Sequence, residues 1–279
     1  MGMKYHSLRS PSVLRKRRER FYITSVLSLL VGVVFLLFLS QLSLVPELSI
    51  MAIKVEGNAA VPESAIVSLV RSQISGDYLG LFSRSSILLY PERSIERDLL
   101  NQYPRFETVS VYRTFPSDIT VQVVERKPAA IACISDTTED TRPTVGGCWF
   151  IDADGTLFAE APEFSGRAFT RFVIKENFPS IGHRLDTTPA FSEILFFLKQ
   201  LEREGLEFSD VIFLPESRLD LRLLTGGTII LSDAVSISQA FINIKTLLDD
   251  GDLRQSISSR SFDYLDLRYG NKIFYKNRN

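Results

Sequence analysis

Between Arg20 and Glu47 the chain carries no charged residue, and residues 23–39 are apolar except for Thr24, Ser25, Ser28 and Gly32. A helix of about 20 apolar residues crosses a bilayer core. The stretch "FYITSVLSLLVGVVFLLFLSQLSLV" is long enough, so a transmembrane helix is expected over 21–45, with the lipid bilayer as its partner. A cleaved signal peptide has a shorter apolar region of about 7–15 residues and an Ala-x-Ala-like exit. The following "SQLSLVPELS" offers none, which favours an uncleaved anchor.

The flank sets the expected orientation. Residues 1–20 form a basic tip with seven Lys and Arg against Glu19 alone, and Arg15, Lys16, Arg17, Arg18 and Arg20 directly precede the apolar run. Basic residues beside a span stay in the cytoplasm. The tip is therefore expected inside, and everything after about Pro46 on the exocytoplasmic or periplasmic side of the inner membrane. The net charge of the whole chain is −1, which argues against nucleic acid as a partner.

Two cysteines, Cys133 and Cys148, bracket the polar loop "ISDTTEDTRPTVGG". Outside the cytoplasm such a pair can oxidise. Closing a loop of about 15 residues stabilises by roughly 3 kcal/mol in the chain-entropy model. Pairing cannot be read from sequence, so a disulfide and two unpaired thiols in adjacent strands both remain open.

The exported part reads as two units. In residues 46–127, Ile53 and Val55 alternate with charged neighbours as a strand does, and Gly57-Asn58 breaks it. A helix is expected from Pro62, with Ile66, Leu69 and Val70 on its apolar face, and a second from an N-cap at Ser94 to just before Pro104. Two strands follow, with Val109 and Val111, then Ile119, Val121 and Val123, in alternation across the turn "FPSD". The order is β-α-α-β-β, a compact α+β unit.

These residues carry a resemblance. "IKVEGNAAV" and "LLNQYPRFETVSVYRTFPSDITVQVVERKPAA", above all the closing Glu125-Arg126-Lys127-Pro128, resemble the POTRA domain of the FtsQ/DivIB family of bacterial cell-division proteins. Phe106 departs from the aliphatic residue usual there.

Residues 128–279 follow the same family's order. "AAIACI" and "GCWFIDADGTLFAEA" read as paired strands, and "TRFVIKEN" as a short one. A helix is expected from Thr188 as N-cap and Pro189 at its first position to Gly205, with Phe191, Ile194, Leu195, Leu198 and Leu201 on one face. A second helix has Ser236 and Gln239 at capping-box spacing and stops at Gly251. "LTGGTIILS" and the closing "DLRYGNKIFYK" resemble the FtsQ-type β domain. The expected fold is thus α+β: a transmembrane helix, a POTRA domain, and a mostly antiparallel β domain with two helices.

The string "FIDADGTLF" also has the look of a dehalogenase-type phosphatase, whose first Asp, here Asp152, is the nucleophile. That chemistry needs the Asp at the end of a parallel strand, followed by a crossover helix and further Mg²⁺ ligands. None of this context surrounds Asp152. Asp and Gly also make a tight hairpin connection, which is the reading adopted, and under it Asp152→Asn should be nearly silent. Neither His6 nor His183 has a second ligand at metal spacing. No enzyme activity, metal, cofactor or small-molecule substrate is expected.

The resemblance implies a bitopic scaffold of the divisome, located at the septum. It would bind FtsB-like and FtsL-like small coiled-coil proteins through its last strand and contact other divisome membrane proteins through its POTRA unit, helping to couple ring placement to septal peptidoglycan synthesis. The residues supply physical means for this. Gly270-Asn271 can turn the chain into a terminal strand with Lys272, Ile273, Phe274, Tyr275 and Lys276, whose open edge can accept a partner strand. By family correspondence Arg268 and Tyr269 flank that edge, Arg268 offering a fork of donors to a partner carboxylate. The alternative is an exported POTRA scaffold of a secretion or envelope-assembly system; a remote one is the phosphatase.

Overall fold

The computed structural model describes residues 11–114, 116–135, 145–162, 164, 168–175, 178–270 and 272–278, and only the backbone at 11–20, 135, 145 and 146. Its first element is helix α1 (Pro11–Ser43). Within it Phe21–Ser43, 23 residues, is long and apolar enough to cross a membrane. Arg15, Lys16, Arg17, Arg18 and Arg20 lie on α1, but their side chains fall outside the described residues.

The chain falls into two compact units, with α1 in the first. The first extends to Leu99 and takes in Val109–Val123; the second comprises Leu100–Thr108 and everything from Val124. After a 3-10 turn (Pro46–Leu48), the chain forms β1 (Ala52–Glu56), α2 (Glu63–Ile74), a small hairpin of β2 (Asp77–Tyr78) and β3 (Phe82–Ser83), α3 (Glu92–Gln102), β4 (Phe106–Thr114) and β5 (Asp118–Glu125). The β-α-α-β-β order is present, with the hairpin as an addition. The strands stand in the order β1-β5-β4, and β1 runs parallel to β5 with Val55 opposite Val121. The apolar helix faces carrying Ile66, Val70 and Ile95 and the strand alternation of Ile119 and Val121 supply this unit's core, all five being buried.

Gly57 ends β1 for a steric reason. Its φ is +86°, and a Cβ there would sit 2.1 Å from the carbonyl oxygen of Val123. Only glycine meets both conditions. Two helix starts differ from expectation. Proline 62 is the N-cap of α2 rather than its first residue. Helix α3 begins before Ser94, at Glu92 after Pro91, and the Ser94 N–H bonds the Pro91 carbonyl.

The second unit is built on a nine-stranded sheet. It contains β6 (Ala130–Ser135), β7 (Val145–Ile151), β8 (Leu157–Glu160), β9 (Arg171–Ile174), α4 (Phe191–Arg203), β10 (Phe208–Leu214), β11 (Arg218–Leu223), β12 (Thr228–Leu231), α5 (Ile237–Asp250), α6 (Asp252–Ser258), β13 (Phe262–Tyr269) and β14 (Lys272–Asn277). The strand order is β14-β13-β12-β11-β10-β9-β6-β7-β8. Helices α4 and α5 lay their apolar faces on one side of the sheet, where Ile194, Leu198, Ile244 and Leu248 meet Leu221, Ile229, Phe262 and Leu265 in a common core.

Most pairings in this sheet are antiparallel, as expected, but the structure adds parallel ones and corrects the expected two helices to three. The sheet is mixed: β6–β9, β9–β10 and β12–β13 are parallel. A third helix, α6, follows α5 at once. Gly251, at φ +91°, caps the end of α5 as expected, and it is also the N-cap of α6. Helix α4 starts at Phe191 with Ala190 as N-cap, so Thr188 does not cap it, and the Thr188–Pro189 peptide is cis. Cys133 and Cys148 face each other on β6 and β7 and are joined as a disulfide.

Candidate partner-binding edge of the nine-stranded sheet

The two ends of the sheet are finished differently. At the β8 end the connector lies along the strand. The Gly182 N–H bonds the Leu157 carbonyl (2.7 Å), and the Leu157 N–H bonds the carbonyl of His183 (3.1 Å). At the other end β14 pairs with β13 on one side, and no strand lies beyond it among the described residues. An uncovered edge presents unpaired backbone donors and acceptors.

The sequence explains the shape of this edge. Gly270, at φ +63°, turns the chain; Asn271 lies outside the described residues. The register pairs Tyr269 with Lys272, Asp266 with Phe274 and Leu265 with Tyr275, and it slips twice, between Phe262 and Tyr264 and between Asp266 and Tyr269. Each slip inserts an extra residue into β13. Such bulges bend and twist an edge, which discourages indiscriminate pairing. Ile273 packs onto the helix-covered core and anchors the strand. Lys272, Phe274, Tyr275 and Lys276 are exposed.

Of the expected site residues, the structure brings Tyr269 and Phe274 together as an edge-on ring pair with centroids 5.4 Å apart. Both rings are about half exposed, as is Tyr275. Lys276 approaches Asp263 at 3.7 Å.

Arg268 behaves differently from expectation. Its fork is engaged within the chain: Nε donates to Asp266 Oδ1 at 2.9 Å and Nη2 to Oδ2 at 2.7 Å. Its guanidinium also lies 5.5 Å from the Tyr269 ring. A partner carboxylate therefore meets an arginine that already has one. The Arg268 hydrogen bonds hold the Asp266 carboxyl below its ordinary range against the opposing effect of burial, and Asp266 holds Arg268 up in turn.

Two strands away the motif repeats in reverse order. Arg218 Nε and Nη2 bond Asp220 at 2.7 and 2.8 Å. Ile212, Asp220, Ile230, Asp266 and Phe274 are register partners in succession from β10 to β14. This row lies on the sheet face opposite α4 and α5, so two buried carboxylates, each neutralised by an arginine two residues along its strand, lead to Phe274. Sequence reasoning missed Arg218, Asp220 and Asp266. The signal was the spacing in "RLD" and "DLR", since residues two apart on a strand share a face.

Asp152 also has a defined place. Its Oδ1 accepts the N–H groups of Asp154 (3.0 Å) and Thr156 (2.8 Å), and its Oδ2 takes Arg126 at 2.6 Å. Strands β7 and β8 run antiparallel around it, with Gly155 at φ +89°. The carboxylate's lone pairs are spent on a turn. No cluster of three or more metal-ligating side chains occurs among the described residues.

Comparison with protein-family models and with curated protein sequences finds no match for this chain.

Proposed function

We propose that this protein is a bitopic scaffold of the bacterial divisome of the FtsQ/DivIB kind. Phe21–Ser43 anchors it in the inner membrane with the basic tip in the cytoplasm. The first exported unit is its POTRA domain, and the nine-stranded unit its β domain. It binds an FtsB-like or FtsL-like coiled-coil protein at the septum by adding a partner strand to β14, helping to couple ring placement to septal peptidoglycan synthesis. The observation that carries the reading is the unequal finish of the sheet: the β8 end is covered by the connector, while β14 is open beside the exposed Tyr269, Phe274 and Tyr275. Backbone pairing supplies affinity in such complexes, and flanking side chains the specificity.

The test is affinity capture from host membranes with the full chain and with a chain lacking residues 272–279. Capture of a small single-span coiled-coil protein by the full chain alone supports the proposal. Equal capture by both chains removes the edge from it. Recovery of a secretion or envelope-assembly component by both favours an exported scaffold outside division.

A further inference from the structure

The small β2–β3 hairpin interrupts the first unit, and its tip breaks two rules at once. Tyr78 and Leu81 close a turn through the Leu81 N–H and the Tyr78 carbonyl (3.0 Å). Its central residues, Leu79 and Gly80, both have positive φ, +53° and +67°. Such turns favour Asn, Asp or Gly at the first position. Leucine there is strained, and this one is 95% exposed. In water neither property has a use.

The position of the hairpin supplies one. It lies against the end of α1. Ser43 Oγ accepts the Ser83 N–H at 3.3 Å, and Ser40 Oγ donates to the Leu81 carbonyl. Moving from Ser83 to Leu81 is therefore moving from Ser43 back to Ser40, down the helix towards its middle. The tip points the same way. Ser40 and Ser43 are buried by this contact, whereas nearly all of the apolar helix before them is bare. Hydroxyls at the end of a membrane helix need partners, and the hairpin backbone provides them.

We infer that the β2–β3 hairpin is a lipid-contacting device that seats the first exported unit on the outer surface of the same bilayer. Its occupant is the interfacial layer of that leaflet, with Leu79 and Leu81 among the upper acyl carbons. The 23-residue span has a length of about 34 Å at 1.5 Å per residue. The hydrocarbon core is about 30 Å thick, so the last turn of the helix lies at the interface. The turn backbone remains there within reach of water, as unpaired peptide groups require, and only the leucine side chains go deeper. The Arg84 guanidinium lies 4.8 Å from the Tyr78 ring, an aromatic and basic pair of the kind found at the headgroup level. Leu44, just past the end of α1, is exposed as Leu79 and Leu81 are.

This inference rests on the membrane-span reading of α1, and the experiment separates the two. The native cysteines are disulfide-bonded, so one introduced thiol takes an environment-sensitive fluorophore. The full chain is reconstituted in phosphatidylethanolamine–phosphatidylglycerol vesicles carrying nitroxide-labelled lipids. Leu79→Cys is compared with Leu37→Cys in the span and Ser68→Cys on the exposed side of α2. The expected result is several-fold stronger quenching at 79 than at 68, strongest with nitroxides on the upper acyl chain. Adding Leu79→Asn, which suits the turn, should relieve the quenching of a probe at Leu81→Cys. If 37 is quenched while 79 matches 68, the hairpin does not touch lipid and the inference falls alone. If 37 is not quenched either, the span reading falls and takes the inference with it.

Discussion

Arg126 and Asp152 meet at 2.6 Å across 26 residues of chain, with side chains only 18% and 10% exposed. The Arg126 Nε also donates to the Pro104 carbonyl at 3.1 Å. A pair this far from water depends on both members, because removing one leaves a buried charge without compensation, at about 3–5 kcal/mol. Asp152→Asn, expected to be nearly silent for function if Asp152 is no nucleophile, is therefore expected to act on stability instead. It should lower the stability of the second unit by about 3 kcal/mol, and a double-mutant cycle with Arg126→Met should show strong coupling. The single Trp149 lies in this unit, so its fluorescence during denaturation reads the effect.

Gly57→Ala should cost more than the usual glycine-to-alanine change. The new methyl would collide with the Val123 carbonyl at 2.1 Å, in a backbone region alanine avoids. We expect β1 to detach from β5, at a cost of about 2 kcal/mol or more. Amide hydrogen exchange at residues 53–56 and 119–122 should accelerate accordingly; unchanged protection there would refute the steric account.

Opening the disulfide should weaken the second unit without unfolding it. The bond closes a loop with a sequence separation of 15, for which the chain-entropy model gives about 3 kcal/mol. Reduction, or the Cys133→Ala, Cys148→Ala pair, should shift the Trp149 denaturation midpoint down by a corresponding amount.

Tyr269→Ala and Phe274→Ala should each weaken capture of the partner by about tenfold or more, as truncation of aromatic anchors at an interface does. Because the two rings touch, the double variant should lose less than the product of the single losses. Surface-plasmon measurements with the captured protein decide this, and full additivity would mean that the rings act separately.

Acid should loosen the β13 region through Asp266. Its carboxyl is held below the ordinary value chiefly by Arg268. A depressed folded-state value contributes stability that is complete above the unfolded value of about 3.9 and is lost as pH falls through the folded one. The loss should therefore appear only below about pH 4. In Asp266→Asn that contribution is absent at every pH, so the variant's stability should fall less steeply over that acid range.

Much of this fold was legible because its signals are local. The alternation at Ile119, Val121 and Val123, the apolar face of α4 from Phe191 to Leu201, and the Ser236 cap of α5, whose hydroxyl accepts the Gln239 N–H, depend on neighbours within a turn or two. What escaped depends on partners far away in sequence. The parallel register that seats β9 between β6 and β10 leaves no mark in "RFVI". Arg126 looked like the end of a strand motif, and its role needs Pro104 and Asp152 in place. The β2–β3 hairpin was missed because Leu79 occupies a position where turn chemistry calls for Asn or Gly. For the edge, the aromatic residues were readable, but the commitment of Arg268 to Asp266 was not, because a guanidinium fork suits a partner's carboxylate as well as its own chain's.

The register row that ends at Phe274 has a consequence for whatever strand joins β14. Side chains alternate between the two faces of a sheet, so displacing a strand by one residue turns all of them over. On one face a newcomer continues the row of Ile212, Asp220, Ile230, Asp266 and Phe274; on the other it meets the flank of Ile273 and Tyr275. These faces differ in charge and in what covers them. Under the proposed strand addition the edge would therefore sort partners by parity: of two sequences of identical composition offset by one position, which present opposite faces, only one would fit.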